Sequence, residues 1–500
     1  MPDKRTQGAR YKIEPKTLRW PLPTRGVWQG INDTAIPTDA LFEASNITIR
    51  DGTIQGRPGI NQLDAQVFDS RPTGSLNIWT TAGLPRLVMG TLGKVWTFDY
   101  TTWSDRGGTL AGNADDPVRM TRFIFGTPAV TRAYICNNAV ALQSWKDPDA
   151  ALTAVAGSPP IFKDLATASD RLVGLVGSYG VQWGEVLEDG TWPAANIRFL
   201  SETDAKTIAI RSFGTLGLVV YKKDSIWLGA ATGNAGAEAF CFAIQGKFEG
   251  PAGPAAIADV QGTDYYMTQY GRIAKYTGSS HDWIADGVWS IIKAEIDQST
   301  PGRVVGFYEP QNHEVWFTYP RVGDGGVNFG LVIVVLPKPN FGITNHAAFP
   351  GTFGKAISAA VKVDKESLKT AILFTSAGSA ERSYTLDGTD DDGVAVQSNF
   401  QTGLLPLAAD ATVSRILNVE PFLERKSGNG TIIIKIATSN VLDKAEGDLT
   451  GGQIIDLTKI PVIENVPFDA QGRFVAARGE FDSTDTIRYR GLVLRSQETL

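Results

Sequence analysis

Histidine, cysteine and methionine are scarce in this chain: among 500 residues there are 3 His, 2 Cys and 4 Met. Each scarcity excludes something. Two cysteines cannot build the disulfide framework of a small secreted scaffold. Cys136 and Cys241 both lie in apolar stretches (AYICNN and AFCFAI), where a thiol packs as a small hydrophobe, so both are expected buried and reduced. The three histidines, His281, His313 and His346, are far apart, show no metal-ligand spacing and are expected on separate surface turns. No apolar run reaches membrane-spanning length; FGLVIVVLP is too short. The first residues, MPDKRTQGARYKIEPK, contain no apolar core of a signal peptide, so the chain is expected to fold in a cytoplasm. An excess of basic charge is also missing. The net charge is −6, which argues against a general nucleic-acid binder but is compatible with a wall past which DNA slides without sticking.

Turn residues are plentiful: 53 Gly and 26 Pro stand between short apolar runs, punctuating many short strands. The turns recur with a signature. Trp96, Trp183, Trp227 and Trp316 each follow a turn residue (Gly93, Gly180, Asp224, His313) by three positions. Successive tryptophans are 87, 44 and 89 residues apart, or about two, one and two units of a period near 44. Hairpins at Asn137-Asn138 and near Gly271 occupy the skipped positions, and a seventh unit turns near Gly378. That period with four short strands per unit is the length of a β-propeller blade. Each four-stranded sheet is too small to bury its apolar face alone, and radial stacking buries face on face. The recurrent Trp is expected where one blade packs on the next.

Seven hairpins predict about seven blades; six or eight are compatible with the same spacing. The hairpin NITIRDGTIQGRPG, with its Asp51-Gly52 turn of the type I′ kind, is expected to close the ring by pairing near residues 370–388. Short helices are predicted at 38–45, with Thr38 or Asp39 as N-cap, and at 286–297, where Val288, Ile291, Ile292 and Ile296 have helical spacing. Beyond 390 the strands lengthen and the Trp signature ends, which predicts a C-terminal β-sandwich and a frayed SQETL end. The expected organisation is an N-terminal arm with a short helix (1–45), a propeller (46–390) and a sandwich (391–500).

The sequence offers no catalytic constellation. Patterns of the HExxH, GxSxG, Walker and CxxC kinds do not occur. The cluster Asp387, Asp390, Asp391 and Asp392 lacks the alternation and terminal Glu of an EF-hand loop and reads as a solvated interdomain turn, with a cation as the alternative. GAATGNAGAEA (229–239) is not followed by Lys and reads as a loop rather than a phosphate cradle. Asp170 and Asp224 stand near hairpins, where Asp serves local turn hydrogen bonding. No catalytic residue, cofactor or metal is assigned, and the chain is expected not to be an enzyme.

Residues 26–60, GVWQGINDTAIPTDALFEASNITIRDGTIQGRPGI, resemble the start of propeller-type bacteriophage tail proteins, on Ala44, Asn46, Asp51, Gly52, Arg57, Pro58 and Gly59. The stretch GRFVAARGEFDSTDTIRYRGLVLRS resembles their terminal sandwich. Those relatives include the nozzle proteins of short-tailed phages and packaged-DNA stabilisation proteins of the tail hub. The resemblance implies a structural virion protein, assembled in the host cytoplasm. It implies a homohexameric ring around the DNA channel that retains the genome and conducts it at ejection. Implied partners are a portal-side adaptor, tail fibre or spike proteins, and dsDNA passing without sequence-specific binding. Two alternatives stand beside it: a host-glycan-binding or glycan-cleaving propeller at a tail tip, and a non-viral propeller scaffold for protein partners.

Overall fold

In a computed structural model the described residues are 16–29, 36–126, 128–214, 217–341, 343–363, 371–375, 380–407, 413–427, 431–439, 453–456, 466–482 and 486–499. They form two compact units. One comprises Pro58–Pro337 and His346–Val396; the other comprises Met1–Arg57, Lys338–Asn345 and Gln397–Leu500. Residues 46–57, expected in the propeller, thus group with the C-terminal strands.

The first unit is a seven-bladed β-propeller. Seven four-stranded antiparallel sheets follow one another along the chain. Their innermost strands are Pro72–Trp79, Arg119–Phe125, Phe162–Ala168, Thr207–Ser212, Ile257–Val260, Val305–Glu309 and Ile357–Lys362, numbered here as blades 1 to 7. Neighbouring blades are tied near these strands. Val118 N donates to Thr73 Oγ1, Arg119 pairs with Asp164, Ile210 N donates to Asp164 Oδ2, and Arg211 pairs with Asp264. Gly306 N donates to Ala255 O, Ile357 N to Asn328 O, and Ser75 Oγ to Ala360 O. The last of these links blade 1 to blade 7 and makes the ring continuous.

Apolar clusters fill the spaces between blades, which is the physical reason the repeat exists. Trp183 and Trp227 lie with Val173, Val220 and Phe240 between blades 3 and 4; Trp316 lies with Ile357 and Leu373 between blades 6 and 7. Trp96 is half-buried against the cluster between blades 7 and 1. Burial of the indole ring drives stacking, and its N–H still needs an acceptor. Trp183 Nε1 donates to Gly236 O at 2.9 Å, and Trp96 Nε1 to Asp69 Oδ1 at 2.8 Å. The Gly236 acceptor belongs to the Gly/Ala-rich stretch 229–239, which carries a 3-10 turn over Gly236–Glu238.

One of the seven hairpins is not equivalent to the others. Trp96, Trp183 and Trp227 stand on third strands, but Trp316 stands on the second strand of blade 6, Glu314–Tyr319. There the tight turn at His313 joins strands one and two, and a long loop (320–329) replaces the usual turn between strands two and three. The blade count of seven is unaffected, since each blade contributes one such hairpin. The turn near Gly378 lies outside the described residues.

Ring closure uses the N-terminal segment, but not the hairpin expected to perform it. The fourth strand of blade 7 is Gly59–Gln62, pairing antiparallel with Ser383–Gly388. The preceding hairpin, Ile47–Arg50 with Thr53–Gly56, turns at Asp51 (φ 50) and Gly52 (φ 69), as a type I′ turn requires. It belongs to the second unit, where Ile54 pairs with Tyr489.

That second unit is a β-sandwich of two six-stranded sheets, and the N-terminus is woven into both. Lys16–Trp20 and Thr53–Gly56 both pair with one edge of Thr486–Thr499 in one sheet, Val413–Ser427 taking its other edge; Leu41–Ser45 pairs with Gln397–Thr402 in the other. Two expectations are corrected here. Residues 38–45 do not form a helix. Leu41–Ser45 is a strand, because an eight-residue helix is costly to nucleate while a waiting strand satisfies the backbone at once. The SQETL end does not fray before Thr499: Ser496 faces both Lys16 and Ile416, and Glu498 faces Ser414. The other predicted helix is present as α1 (Asp286–Glu295), with Val288 and Ile292 buried, and serves as a packing strut.

Candidate functional site at the channel mouth

The loops that lead into the innermost strands converge on one end of the propeller axis. Asp115 on the lead-in to blade 2 pairs with Arg303 on the lead-in to blade 6, Nε to Oδ1 at 2.8 Å. These blades are not neighbours, so the pair crosses the axis. Arg303 also donates to Gly326 O at 2.8 Å, as does Arg71, ahead of blade 1, at 3.4 Å. Burial, and then the adjacent Arg303 charge, pull the Arg71 guanidinium down to about 10; burial pushes the nearby Glu381 carboxyl up to about 7. Gly302 packs backbone to backbone here, since a Cβ on it would lie 2.6 Å from Asp115 O. The propeller axis is therefore spanned by side chains and backbone at this end.

Beside this bridge lies an open cavity of about 600 Å³. Asp116, Asn138, Lys163, Lys206, Gly253 and Ser299 are among its lining residues. Local backbone irregularity sets its charged wall. The ladder of blade 3 breaks register between Phe162 and Leu165, and that of blade 4 between Thr207 and Ala209. An extra residue in one strand re-aims the side chains beside it. In blade 3 the irregular pair is Lys163-Asp164. Asp164 is buried and holds its neighbours: Oδ1 accepts from Arg119 Nε (3.1 Å) and Leu165 N (3.0 Å), and Oδ2 from Ile210 N (2.9 Å). Lys163 lines the cavity next to Lys206, which immediately precedes the blade 4 strand. Asp116 lines the same cavity and accepts from Asn113 Nδ2 (2.9 Å) and Asn138 Nδ2 (3.2 Å).

The histidines are not simple surface-turn residues. Each is half-buried and meets a tyrosine hydroxyl: His281 Nε2 with Tyr266 (2.8 Å), His313 Nδ1 with Tyr308 (2.7 Å), His346 Nε2 with Tyr265 (3.3 Å). Tyr265 and Tyr266 are consecutive on one strand and face opposite sides, so His281 and His346 are kept apart. Burial lowers both, His346 to about 4. A neutral native imidazole makes the unfolded chain the greater proton binder between about pH 6.5 and 4, so stability falls as pH falls through that window. His346→Phe is expected to flatten this part of a stability-against-pH curve measured by urea unfolding.

The Asp387–Asp392 turn is neither solvated throughout nor convergent. Asp387 accepts from Thr385 Oγ1 (2.8 Å), Asp390 from Gly393 N (2.8 Å), and the buried Asp391 from Gly354 N (2.6 Å), while Asp392 pairs with Lys355 (3.3 Å). Among the described residues no group of three or more His, Cys, Asp or Glu side chains is placed to share a metal ion. Asp170 sits in a turn at φ 54, and Asp224 accepts from Thr203 Oγ1 and Ser225 Oγ. Cysteine burial is corrected in one case. Cys136 is buried and its thiol is pushed up by that burial, whereas Cys241 is exposed on Phe240–Gly246, the outermost strand of blade 4. Strand alternation turns Phe240 inward and Cys241 outward. In the native protein a thiol reagent is expected to label one cysteine per chain, at Cys241, with Cys136 reacting only on unfolding.

Sequence reading found the framework of this site but not its members. Lys163 and Lys206 carry no motif; only a register break and the adjacency of two blades bring them together. These features define a propeller with a side cavity at its closed axis. No protein-family model matches the chain, and no curated protein matches it. Among solved structures it is similar to a chain in a crystal structure of the mitotic checkpoint complex, with TM-score 0.41 and 11% identity over 67% of this chain and 95% of that one. It is also similar to YCF48 from Cyanidioschyzon merolae, with TM-score 0.39 and 11% identity over 66% and 97% of the two chains. The propeller assignment stands on the sheet order itself.

Proposed function

We propose that this chain is a structural subunit of a phage tail, one copy in a ring that surrounds the DNA channel, retains the genome and conducts it at ejection. The observation that carries the reading is the use made of the segment that resembles tail proteins. Asn46, in the left-handed region at φ 56, donates from Nδ2 to Gln397 O, and its own carbonyl accepts from Arg57 N and Ser398 Oγ. The fully buried Arg57 donates from Nε to Asn46 Oδ1. Gly59 is in backbone contact with Asp390 in the closing strand pair. These three residues thus serve architecture, in keeping with the structural role that the resemblance implies.

The passage for DNA is that of the ring of copies, because the Asp115–Arg303 bridge crosses the propeller's own axis. Six copies, a portal-side adaptor and fibre or spike proteins are the partners proposed, and the virion tail is the location. The test is negative-stain imaging of the purified chain with mass spectrometry of purified virions. Rings of uniform copy number and presence in virions are expected. A monomer absent from virions would overturn the reading in favour of a propeller scaffold for other protein partners.

A further inference from the structure

We propose that the cavity at the channel mouth is a binding site for a compact oxyanion of the phosphate class, held between Lys163 of blade 3 and Lys206 of blade 4. This inference does not rest on the virion reading. Lys163, on the blade 3 inner strand, and Lys206, just ahead of the blade 4 inner strand, line one cavity, and neither ammonium group has a hydrogen-bond or ion-pair partner among the described residues. Of the nearby carboxylates, Asp115 is paired with Arg303 and Asp164 with Arg119; Asp116, held by two neutral Asn amides, keeps its charge and offsets the two lysines only in part. The wall that Gly253 and Gly302 line is backbone: a Cβ on Gly253 would lie 2.8 Å from Gly302 Cα.

The electrostatics agree with the geometry. Lys163 is lowered from the usual lysine value by burial and then by the Lys206 charge, while Asp116 only partly offsets them. Two like charges held together repel, and an anion between them removes that repulsion as well as gaining its own attraction. Lysine ammonium groups act as point charges with rotatable donors, and so suit a tetrahedral oxyanion better than a planar carboxylate, which arginine binds in a fork. Thr207 and Ser299 also line the cavity, but their hydroxyls donate to Ser178 O and Asp297 Oδ1, so the two lysines carry the contacts to the anion.

The test is isothermal titration of the full chain with inorganic phosphate, with phenyl phosphate as a phosphomonoester, and with succinate as a dicarboxylate. Saturable phosphate binding is expected, with succinate weaker. Lys163→Met and Lys206→Met are each expected to weaken it about tenfold or more, the cost of one charged contact. Lys362→Met, at the far end of the blade 7 inner strand, is expected to bind as the parent does. Tighter phenyl phosphate than phosphate identifies a monoester as the ligand; equal binding identifies the free anion. Lys163→Gln and Lys206→Gln serve as second variants, with unfolding midpoints confirming that each is folded. Absence of saturable binding in the parent, or equal binding in parent and both lysine variants, overturns the proposal.

Discussion

Gly59→Ala is expected to destabilise the propeller by about 3 kcal/mol or more, the upper end of what overpacking costs. A Cβ at this position would lie 1.9 Å from Asp390 O and 2.4 Å from Asp390 C. Both are backbone atoms, so no rotamer change relieves the clash. The strand that must shift is the one that completes blade 7, and with it the seam of the ring. A matched control is Gly83→Ala in blade 1. Gly83 has φ +74, but an added Cβ there meets nothing within 4 Å, so only the left-handed backbone is penalised, at about 1 kcal/mol. Urea unfolding of both variants checks the difference. Limited proteolysis adds a second readout: cleavage around residues 59–62 is expected to accelerate in Gly59→Ala alone. Equal costs for the two variants would mean that the seam tolerates separation.

Asp164→Ala is expected to cost about 3–5 kcal/mol, the range for removing one partner of a buried ion pair. Its side chain is 2% exposed and links three consecutive blades. Truncation leaves the Arg119 guanidinium facing a gap and strips Ile210 N–H and Leu165 N–H of their acceptor. Because Asp164 is buried and Arg119 only 21% exposed, added salt is expected to change this cost less than for a surface pair. Arg119→Met combined with Asp164→Leu is expected to recover part of the loss, since both charges then leave together. The check is a double-mutant cycle in urea at low and high salt. A cost below about 1 kcal/mol, typical of exposed pairs, would show that solvent reaches this carboxylate.

Sequence reading succeeded where the signal was local. A tight turn followed by an indole marks a hairpin whichever blade it sits in, so counting hairpins counted blades. It misplaced what depends on distant partners. Leu41–Ser45 has the composition of a short helix, yet Gln397–Thr402, some 350 residues away in sequence, recruits it as a strand. The Asp51-Gly52 turn was legible, but which sheet its hairpin joins was not, since the closing strand begins just beyond it at Gly59. Cys241 lies in an apolar stretch, but the outermost strand leaves most of its side chains exposed, and strand position is not written in composition.

The sequence by itself determined that this is a repeating all-β chain of about seven stacked sheets followed by a β-sandwich; the sheet order made the number seven. Turn chemistry and apolar runs act over a few residues, and each blade buries its faces only against the next. The tertiary structure alone decided where the ring is sealed, how both termini share the sandwich, and which charges meet at the axis. Asp115 meets Arg303 across non-neighbouring blades, and Lys163 and Lys206 come to line one cavity through a register break in blade 3 and the adjacency of blades 3 and 4. Such encounters depend on closing the ring, which brings together residues that no local rule relates.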